Sequence, residues 1–387
     1  MAKKTLRFAC AVATALTLVL LMAGAAWAED PAQLNYADIA LRVPKDNLQL
    51  DVLQRSLPLL QKTQDDLSQN APSGGDASKA VSSLTRTYRN MLANLNPMDP
   101  NNQVQIDFAT FMLQSVSLGA MTADSSTTTL NSINLQIAQT RIQIEQTQAQ
   151  LINGGQQLFV GYLQLQDNLK KMQDSRGLLE NSLNLARVQQ STGLGTALAV
   201  KQAELAVAEL DTSILQLESQ GAVMLDQLKL IVGWPQQQIM KLGSIPKPDR
   251  AFFATINLNA DIKSAQTNSY SLKSKQQEQK YSSDDDQTNL IKRTIAAMTE
   301  QIALTVSTQY QKIDQQNNAL LLEEQRLAVA EEKIKQSRLQ HQLGLLSDLA
   351  LQSAEQSYTA QQEAVSTAMV SLFWEIENYK AIVAGLN

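Results

Sequence analysis

The sequence has 387 residues, of which 44% are hydrophobic and only 5% aromatic, and its formal net charge is −5. A negative net charge argues against nucleic acid as a partner, because contact with a phosphate backbone needs a basic surface. The only cysteine is Cys10. If the first segment is removed, neither disulfides nor a cysteine zinc site can hold the rest together, so its stability has to come from packed helices.

The N-terminal segment, residues 1–28, has the composition of a secretory signal peptide. Its basic residues Lys3, Lys4 and Arg7 precede an apolar run that closes with small residues at 26–28. We expect cleavage after residue 28, which changes the net charge from −5 to −8, and export through the Sec pathway to the cell envelope, as a periplasmic or outer-membrane-associated protein. An uncleaved anchor is the alternative, although a membrane helix needs about twenty apolar residues and no cleavage site.

The mature chain opens with a short element at 34–39, and a segment rich in turn-forming residues follows at 71–128. Polar and apolar residues alternate briefly at 104–111, but the alternation is lost immediately afterwards. We therefore interpret this stretch as helical rather than as a strand.

A long helical rod is predicted from about residue 127 to residue 190, because apolar residues recur every seven positions. They are Leu130, Ile137, Ile144, Leu151, Leu158, Leu165, Met172, Leu179 and Ala186. About sixty helical residues span about 90 Å. The pair Gly154 and Gly155 is expected to interrupt and bend this rod. Such a seam commonly means a solid coiled coil, whereas the Gln- and Ser-rich faces would also suit a water-filled lumen.

The rod is predicted to reverse at 191–195, where glycines supply the left-handed conformations of a tight turn. A return helix should run from about Thr196 to Val232. It should end at Gly233, because a proline follows two residues later and cannot continue a helix.

The same hairpin returns 151 residues later, where Gly344 matches Gly193. Further matches at this offset are Phe159 with Tyr310, Arg187 with Arg338, Ala203 with Ala354 and Glu204 with Glu355. The second seam consists of Ile313, Leu320, Leu327 and Ile334. We therefore predict a tandem duplication, with a first helical repeat at 29–236 and a second at 237–387.

The two copies differ before their rods. The related elements at 34–39 and 258–262 lie 223 residues apart, 72 more than the hairpin offset, so the segment 71–128 is interpreted as an insert in the first copy. In the second copy a helix from about 259 to 281 should lead directly into the next rod. The acidic run at 284–286 lacks the alternating ligands of a calcium loop, so we interpret it as a solvated turn that caps this rod.

The sequences around both reversals resemble the TolC-type outer-membrane efflux family. Each copy has Gly, then Thr or Ser three residues later, then Leu, then an Ala-Glu pair. These residues are Gly193, Thr196, Leu198, Ala203 and Glu204 in the first copy and Gly344, Ser347, Leu349, Ala354 and Glu355 in the second. The resemblance implies a homotrimer whose six hairpins form a hollow helical tunnel, which links to an inner-membrane transporter through a periplasmic adaptor (membrane fusion) protein.

The resemblance also implies that the two reversals are tips that dock the adaptor. The residues expected there are Arg187, Thr192, Gly193 and Leu194 in the first tip and Arg338, Leu343, Gly344 and Leu345 in the second. Family members carry acidic residues just past the second tip, where this chain has Ala350 and Ser353. Asp348 is therefore the candidate entrance acid.

One departure from the family concerns membrane strands. Each family repeat contributes a pair of strands between its helices, and a pair needs about eighteen residues plus a turn. The second copy leaves only the few residues around 282–286 for it. We therefore expect the complete set of strands to be missing, and we expect no direct membrane insertion by this chain.

His341 continues the second seam to the tip. With no cysteine or second histidine to share a metal ion, we interpret it as a packing or tip-contact residue. The mature sequence contains no motif of a hydrolase triad, a phosphate loop or a metal cluster, so we expect no enzyme activity, cofactor or metal.

The expected fold is all-α, with long antiparallel coiled-coil hairpins in two tandem repeats and little or no β structure, as in a TolC-like α-barrel protomer. The expected function is that of a TolC-like component of an export system. The alternative is a secreted structural coiled-coil protein of the cell envelope with no conduit role.

Overall fold

The computed structural model describes residues 33–69, 126–282 and 284–387, together with isolated positions between 82 and 113. The predicted signal peptide, and the predicted insert except for isolated positions and its last three residues, lie outside the described residues. Among the helices within these ranges, none has the length and apolar character needed to cross a membrane.

The first part of the chain forms one long hairpin. Its elements are strand β1 (Gln33–Leu34) and helices α1 (Tyr36–Asp46), α2 (Leu48–Gln69), α3 (Ser126–Ser191) and α4 (Ala197–Ile231). Helices α3 and α4 run antiparallel and pack along each other. Their ends lie within one residue of the predicted ones.

The second part repeats this arrangement. Its elements are strand β2 (Lys241–Leu242) and helices α5 (Arg250–Thr255), α6 (Leu258–Asn268), α7 (Tyr270–Tyr281), α8 (Asp285–Gln342) and α9 (Asp348–Val383). Helices α8 and α9 form the second hairpin. Within the described ranges the only strands are β1 and β2, which pair in parallel with Leu34 opposite Leu242. The predicted all-α fold of two tandem hairpins is confirmed, while the residue bounds of the repeats stay a prediction.

The predicted seam of α8 is buried as expected. Ile313 and Leu320 are fully buried, Ile334 nearly so, and Leu327 packs against the same core. On α9, Leu372 belongs to this core as well. A spacing of seven therefore marks the helix face that meets the other helix of the hairpin.

Helix α3 continues through Gly154 and Gly155, so the predicted interruption is wrong. The physical reason is packing. A Cβ atom on Gly155 would lie 3.0 Å from Cγ2 of Ile39 and 3.1 Å from Cγ2 of Ile231. This glycine therefore lets α1 and α4 approach α3 closely, a need that the local sequence does not show.

The predicted single helix at 259–281 is also wrong in one respect, because it breaks at Ser269 into α6 and α7. The Ser269 side chain is buried, and its Oγ accepts a hydrogen bond from the Leu272 N–H at 3.3 Å. This is an N-cap, which stabilises the first turn of α7.

Replacing Ser269 with alanine is expected to lower the free energy of unfolding by about 1 kcal/mol, since the cap of α7 is lost in a buried place. Urea unfolding followed by circular dichroism measures this change. Ser264→Ala is the matched control, because that exposed hydroxyl only donates to the Ala260 carbonyl within its own helix. Equal losses in the two variants would contradict the capping role.

The link between α7 and α8 agrees with the prediction. Asp284 is the N-cap of α8, and its Oδ1 accepts hydrogen bonds from the N–H groups of Asp286 at 2.8 Å and Gln287 at 3.0 Å. The acidic run therefore caps the second rod, where negative charge is favourable at a helix N-terminus.

Each return helix ends in the same way at what we call a junction. In junction 1, Asn47 Nδ2 donates to the carbonyl of Ile231, the last residue of α4, at 2.9 Å. In junction 2, Asn268 Nδ2 donates to the carbonyl of Val383, the last residue of α9, at 3.0 Å. The short helices of each repeat thus hold the end of that repeat's return helix, which reproduces the duplication in three dimensions.

The two repeats share a core around Tyr36. Its ring meets Phe159 of α3 and Phe373 of α9 edge to face, with centroids 5.9 Å and 5.0 Å away. Burial raises the pKa of Tyr36 well above its usual value, and the nearby Glu377 carboxylate raises it further. The phenol is therefore protonated and donates to Glu377 Oε2 at 3.4 Å. Lys171 and Glu363 add an ion pair between α3 and α9 at 3.1 Å.

Candidate docking tips

The first reversal is a Schellman-type helix end. Gly193 has a φ of +75°, its N–H donates to the Gln190 carbonyl at 3.1 Å, and the Leu194 N–H donates to the Gln189 carbonyl at 2.8 Å. These two bonds satisfy carbonyls that would otherwise lack a partner at the helix end.

The second reversal has the same construction. Gly344 has a φ of +71°, its N–H donates to the His341 carbonyl at 2.9 Å, and the Leu345 N–H donates to the Gln340 carbonyl at 2.8 Å. A Cβ atom at Gly193 or Gly344 would meet nothing within 4 Å. Both positions favour glycine because of their positive φ angles, and not because a side chain would lack space.

The residue three positions after each glycine starts the return helix. Thr196 accepts a hydrogen bond from the Ala199 N–H at 3.1 Å, and Ser347 accepts one from the Ala350 N–H at 3.3 Å. The spacing of Gly and then Thr or Ser is therefore a helix end followed by a helix start.

An ion pair crosses each hairpin just behind its tip. Arg187 Nη2 donates to Glu204 Oε1 at 2.9 Å, and Arg338 Nη2 donates to Glu355 Oε1 at 3.1 Å. All four residues were matched at the repeat offset, but the sequence alone did not predict that they pair. The two pairs mark equivalent boundaries of the tips, which we define as residues 187–204 and 338–355.

A double-mutant cycle on Arg187 and Glu204, each changed to alanine, is expected to give a coupling free energy of about 0.2–1 kcal/mol, since both side chains are about half exposed and screened by water. Thermal unfolding of the four proteins measures it. The same cycle on Arg338 and Glu355 should give a similar value. A coupling above about 2 kcal/mol would mean that the pairs, and not the seam, hold the hairpins closed.

Large apolar side chains are exposed at both tips. Leu194 and Leu345 are 85% and 75% exposed. Three exposed positions of each tip match at the repeat offset, and we call them the tip triads: Val188, Leu194 and Leu198 in tip 1, and Leu339, Leu345 and Leu349 in tip 2. Clustered apolar side chains in water mark a contact surface. Of these six residues, only Leu194 and Leu345 are among the tip residues predicted from the sequence, although the repeat offset relates the other four as well.

The remaining predicted tip residues also lie at the turns. Thr192 of tip 1 donates to the Val188 carbonyl at 3.0 Å, whereas Leu343, which stands at the same place in tip 2, is exposed.

Asp348, the candidate entrance acid, is the first residue of α9 and is 97% exposed. His341 Nε2 lies 2.6 Å from Asp348 Oδ1, so His341 makes a tip contact. Within the described residues, no three acidic, His or Cys side chains are placed to hold a metal ion.

No protein-family model and no curated protein matches the chain. Among solved structures, it is similar to the outer membrane protein VceC of Vibrio cholerae, with 13% identity and a TM-score of 0.42, over 68% of this chain and 76% of that one. It is also similar to the outer-membrane channel OprN, with 13% identity and a TM-score of 0.46, over 90% of both chains. It is similar as well to the Campylobacter jejuni CmeC outer membrane channel, with 9% identity and a TM-score of 0.41, over 91% of this chain and 86% of that one. These low identities and TM-scores do not identify a function for this chain.

Proposed function

We propose that this chain is a TolC-like, non-enzymatic component of an export system. In this proposal it forms a homotrimeric helical tunnel or collar in the cell envelope and docks a periplasmic adaptor protein by its two tips. Through the adaptor it connects to an inner-membrane transporter. The observation that carries the proposal is that the chain contains two tips with the same turn and with exposed apolar residues at the same three positions.

The tip triads support docking because they are exposed without any structural need. Neither glycine turn requires a leucine after it, and polar residues at these positions would keep the same backbone hydrogen bonds. Exposure of Leu194 and Leu345 to water is unfavourable, by about 1.5–3 kcal/mol for each side chain relative to its burial. A partner that covers them recovers this free energy, and a helical hairpin end of an adaptor fits two exposed helical turns.

Trimer formation is supported by two unpartnered faces. The first lies on α8 opposite its seam, in two neighbouring rows with a spacing of seven. Between residues 297 and 329 its residues are exposed and uncharged, and the exposed Glu332 then follows in the first row: Ala297, Leu304, Gln311, Asn318 and Gln325 in one row, and Gln301, Thr308, Gln315, Leu322 and Val329 in the other. An uncharged face on a helix with many charged residues elsewhere is typical of a helix–helix contact.

The second face lies on α4, again opposite its seam. Its exposed residues contain two charges, Glu209 and Asp226: Leu198, Leu205, Thr212, Ser219 and Asp226 in one row, and Gln202, Glu209, Gln216, Val223 and Leu230 in the other. Inside one chain the hairpins meet through α3 and α9, as the pair Lys171–Glu363 shows. The faces of α4 and α8 are therefore free to meet between copies. A contact between two different faces gives a ring when the rotation from one copy to the next closes, and a ring of three copies contains six hairpins.

The docking proposal is tested with the double variant Leu194→Asp and Leu345→Asp. The probe is the isolated helical hairpin of a periplasmic adaptor from the same cell, and its binding to the purified mature protein is measured by biolayer interferometry. We expect binding to be lost while the circular dichroism spectrum stays helical. Leu321→Asp is the matched control, since Leu321 is exposed on α8 away from the tip, and it should bind normally. A monomer at high concentration that binds no adaptor hairpin would contradict the proposal and favour the secreted structural coiled coil.

A further inference from the structure

The two tips have the same turn and exposed apolar residues at the same three positions, and tip 2 also exposes Leu343 where tip 1 has Thr192, but the tips differ in charge as well. Each tip is bounded by its own Arg–Glu pair, whose two charges cancel. Between these pairs, tip 1 contains one further charged residue, Lys201, and tip 2 contains Asp348. At the repeat offset, Lys201 matches the uncharged Gln352 and Asp348 matches the uncharged Ala197.

Both of these charges face solvent. Lys201 is exposed on the second turn of α4, and Asp348 is almost fully exposed on the first turn of α9. His341 lies against one oxygen of Asp348 and holds the carboxylate at the turn, and its counterpart in tip 1 is the uncharged Gln190. Tip 1 is therefore net positive. Tip 2 is net negative when His341 is neutral.

We infer that the two tips are different docking points that select partner surfaces of opposite charge. Tip 1 accepts a helical-hairpin end with an acidic rim, and tip 2 accepts one with a basic rim. This inference rests on the proposed function, and it specifies the chemistry of the partner. The matching triads supply an apolar contact in both tips, and the charges at its edge decide between partners, because rim charges act mainly on specificity and on the rate of encounter.

In a ring of three copies the tips alternate, so a positive tip always stands beside a negative one. A partner with only one kind of end then occupies every second tip preferentially. Filling all six tips requires either two kinds of partner surface or one partner that presents both.

The experiment uses the full mature protein and two synthetic helical-hairpin peptides with the same leucine-containing end. One peptide has glutamates around this end, and the other has lysines. A photo-cross-linking residue replaces Ser191 in tip 1 or Gln342 in tip 2, which are matched and exposed positions. We expect the acidic peptide to cross-link about two- to fivefold more to tip 1 and the basic peptide about two- to fivefold more to tip 2 at low salt. Both preferences should disappear at about 1 M salt, where charges are screened within about 3 Å.

Two variants make the tips equal in charge at the differing positions. Lys201→Gln copies tip 2 into tip 1 and should remove the preference of tip 1 for the acidic peptide. Asp348→Ala copies tip 1 into tip 2 and should remove the preference of tip 2 for the basic peptide. If both peptides cross-link equally to both tips, or if the preferences survive these substitutions, the inference is wrong although tip docking stands. If neither peptide cross-links at either tip, the proposed function itself is contradicted.

Discussion

Replacing Gly233 with alanine is expected to lower the free energy of unfolding by about 2–5 kcal/mol. Two effects add. Gly233 has a φ of +65°, a conformation that costs a residue with a Cβ atom about 1–2 kcal/mol. A Cβ atom there would also lie 2.2 Å from the carbonyl oxygen of Asp46, so the end of α1 would have to move, and such overpacking costs about 1–3 kcal/mol. Urea unfolding followed by circular dichroism measures the loss.

Gly193→Ala is the matched control, because Gly193 has a similar φ but open space around its Cα. It should lose only the conformational part, about 1–2 kcal/mol. Gly385→Ala should behave like Gly233→Ala, since a Cβ atom at Gly385 would lie 2.5 Å from the Asn268 carbonyl oxygen in junction 2. Equal effects of the Gly193 and Gly233 substitutions would show that the junctions are not tightly packed.

Replacing Leu304 with lysine is expected to dissociate the proposed trimer. Leu304 is 60% exposed in the single chain and lies on the uncharged face of α8. In the proposed ring this face is covered by α4 of the next copy, and a lysine there replaces an apolar contact with a buried charge. A cost of about 3 kcal/mol per contact lowers the association constant about a hundredfold. Sedimentation velocity over a range of protein concentrations measures the change.

Leu321→Lys is the control for this prediction. Leu321 is also exposed on α8, but its position in the repeat of seven lies outside the uncharged rows. It should leave the association unchanged. If both variants, or neither of them, dissociate the protein, the face defined by Leu304, Leu322 and Val329 is not the contact between copies.

The sequence was sufficient to predict the hairpins because their signals are local. A spacing of seven marks the seam, glycine marks the end of a rod, and Thr196 or Ser347 marks the start of the return helix. These features depend on residues within a few turns of each other. The acidic cap at Asp284 was predicted for the same reason.

The features that were missed depend on contacts between distant segments. Gly155 looked like a helix breaker, but its role is to make room for Ile39 and Ile231. The break at Ser269 places Asn268 against the Val383 carbonyl, more than a hundred residues away. No local pattern reports such contacts.

The candidate site was only partly predictable. Glycines and leucines at the turns were found from the resemblance and the repeat offset. The pairing of Arg187 with Glu204 needed the register of the hairpin, and the triad members Val188 and Leu339 needed their exposure. The repeat offset alone shows that Lys201 and Asp348 have uncharged counterparts. The structure was needed to show that both charges lie on the tips, because the ion pairs that bound the tips are not predictable from the sequence.

The central claim is that the hairpins of three copies close into a hollow ring with six tips at one end. Negative-stain electron microscopy of the purified mature protein tests this claim most directly, with class averages viewed along the long axis. We expect a ring with a stain-filled centre and threefold symmetry. Solid rods without a central opening, or particles of the size of one chain at high concentration, would contradict it.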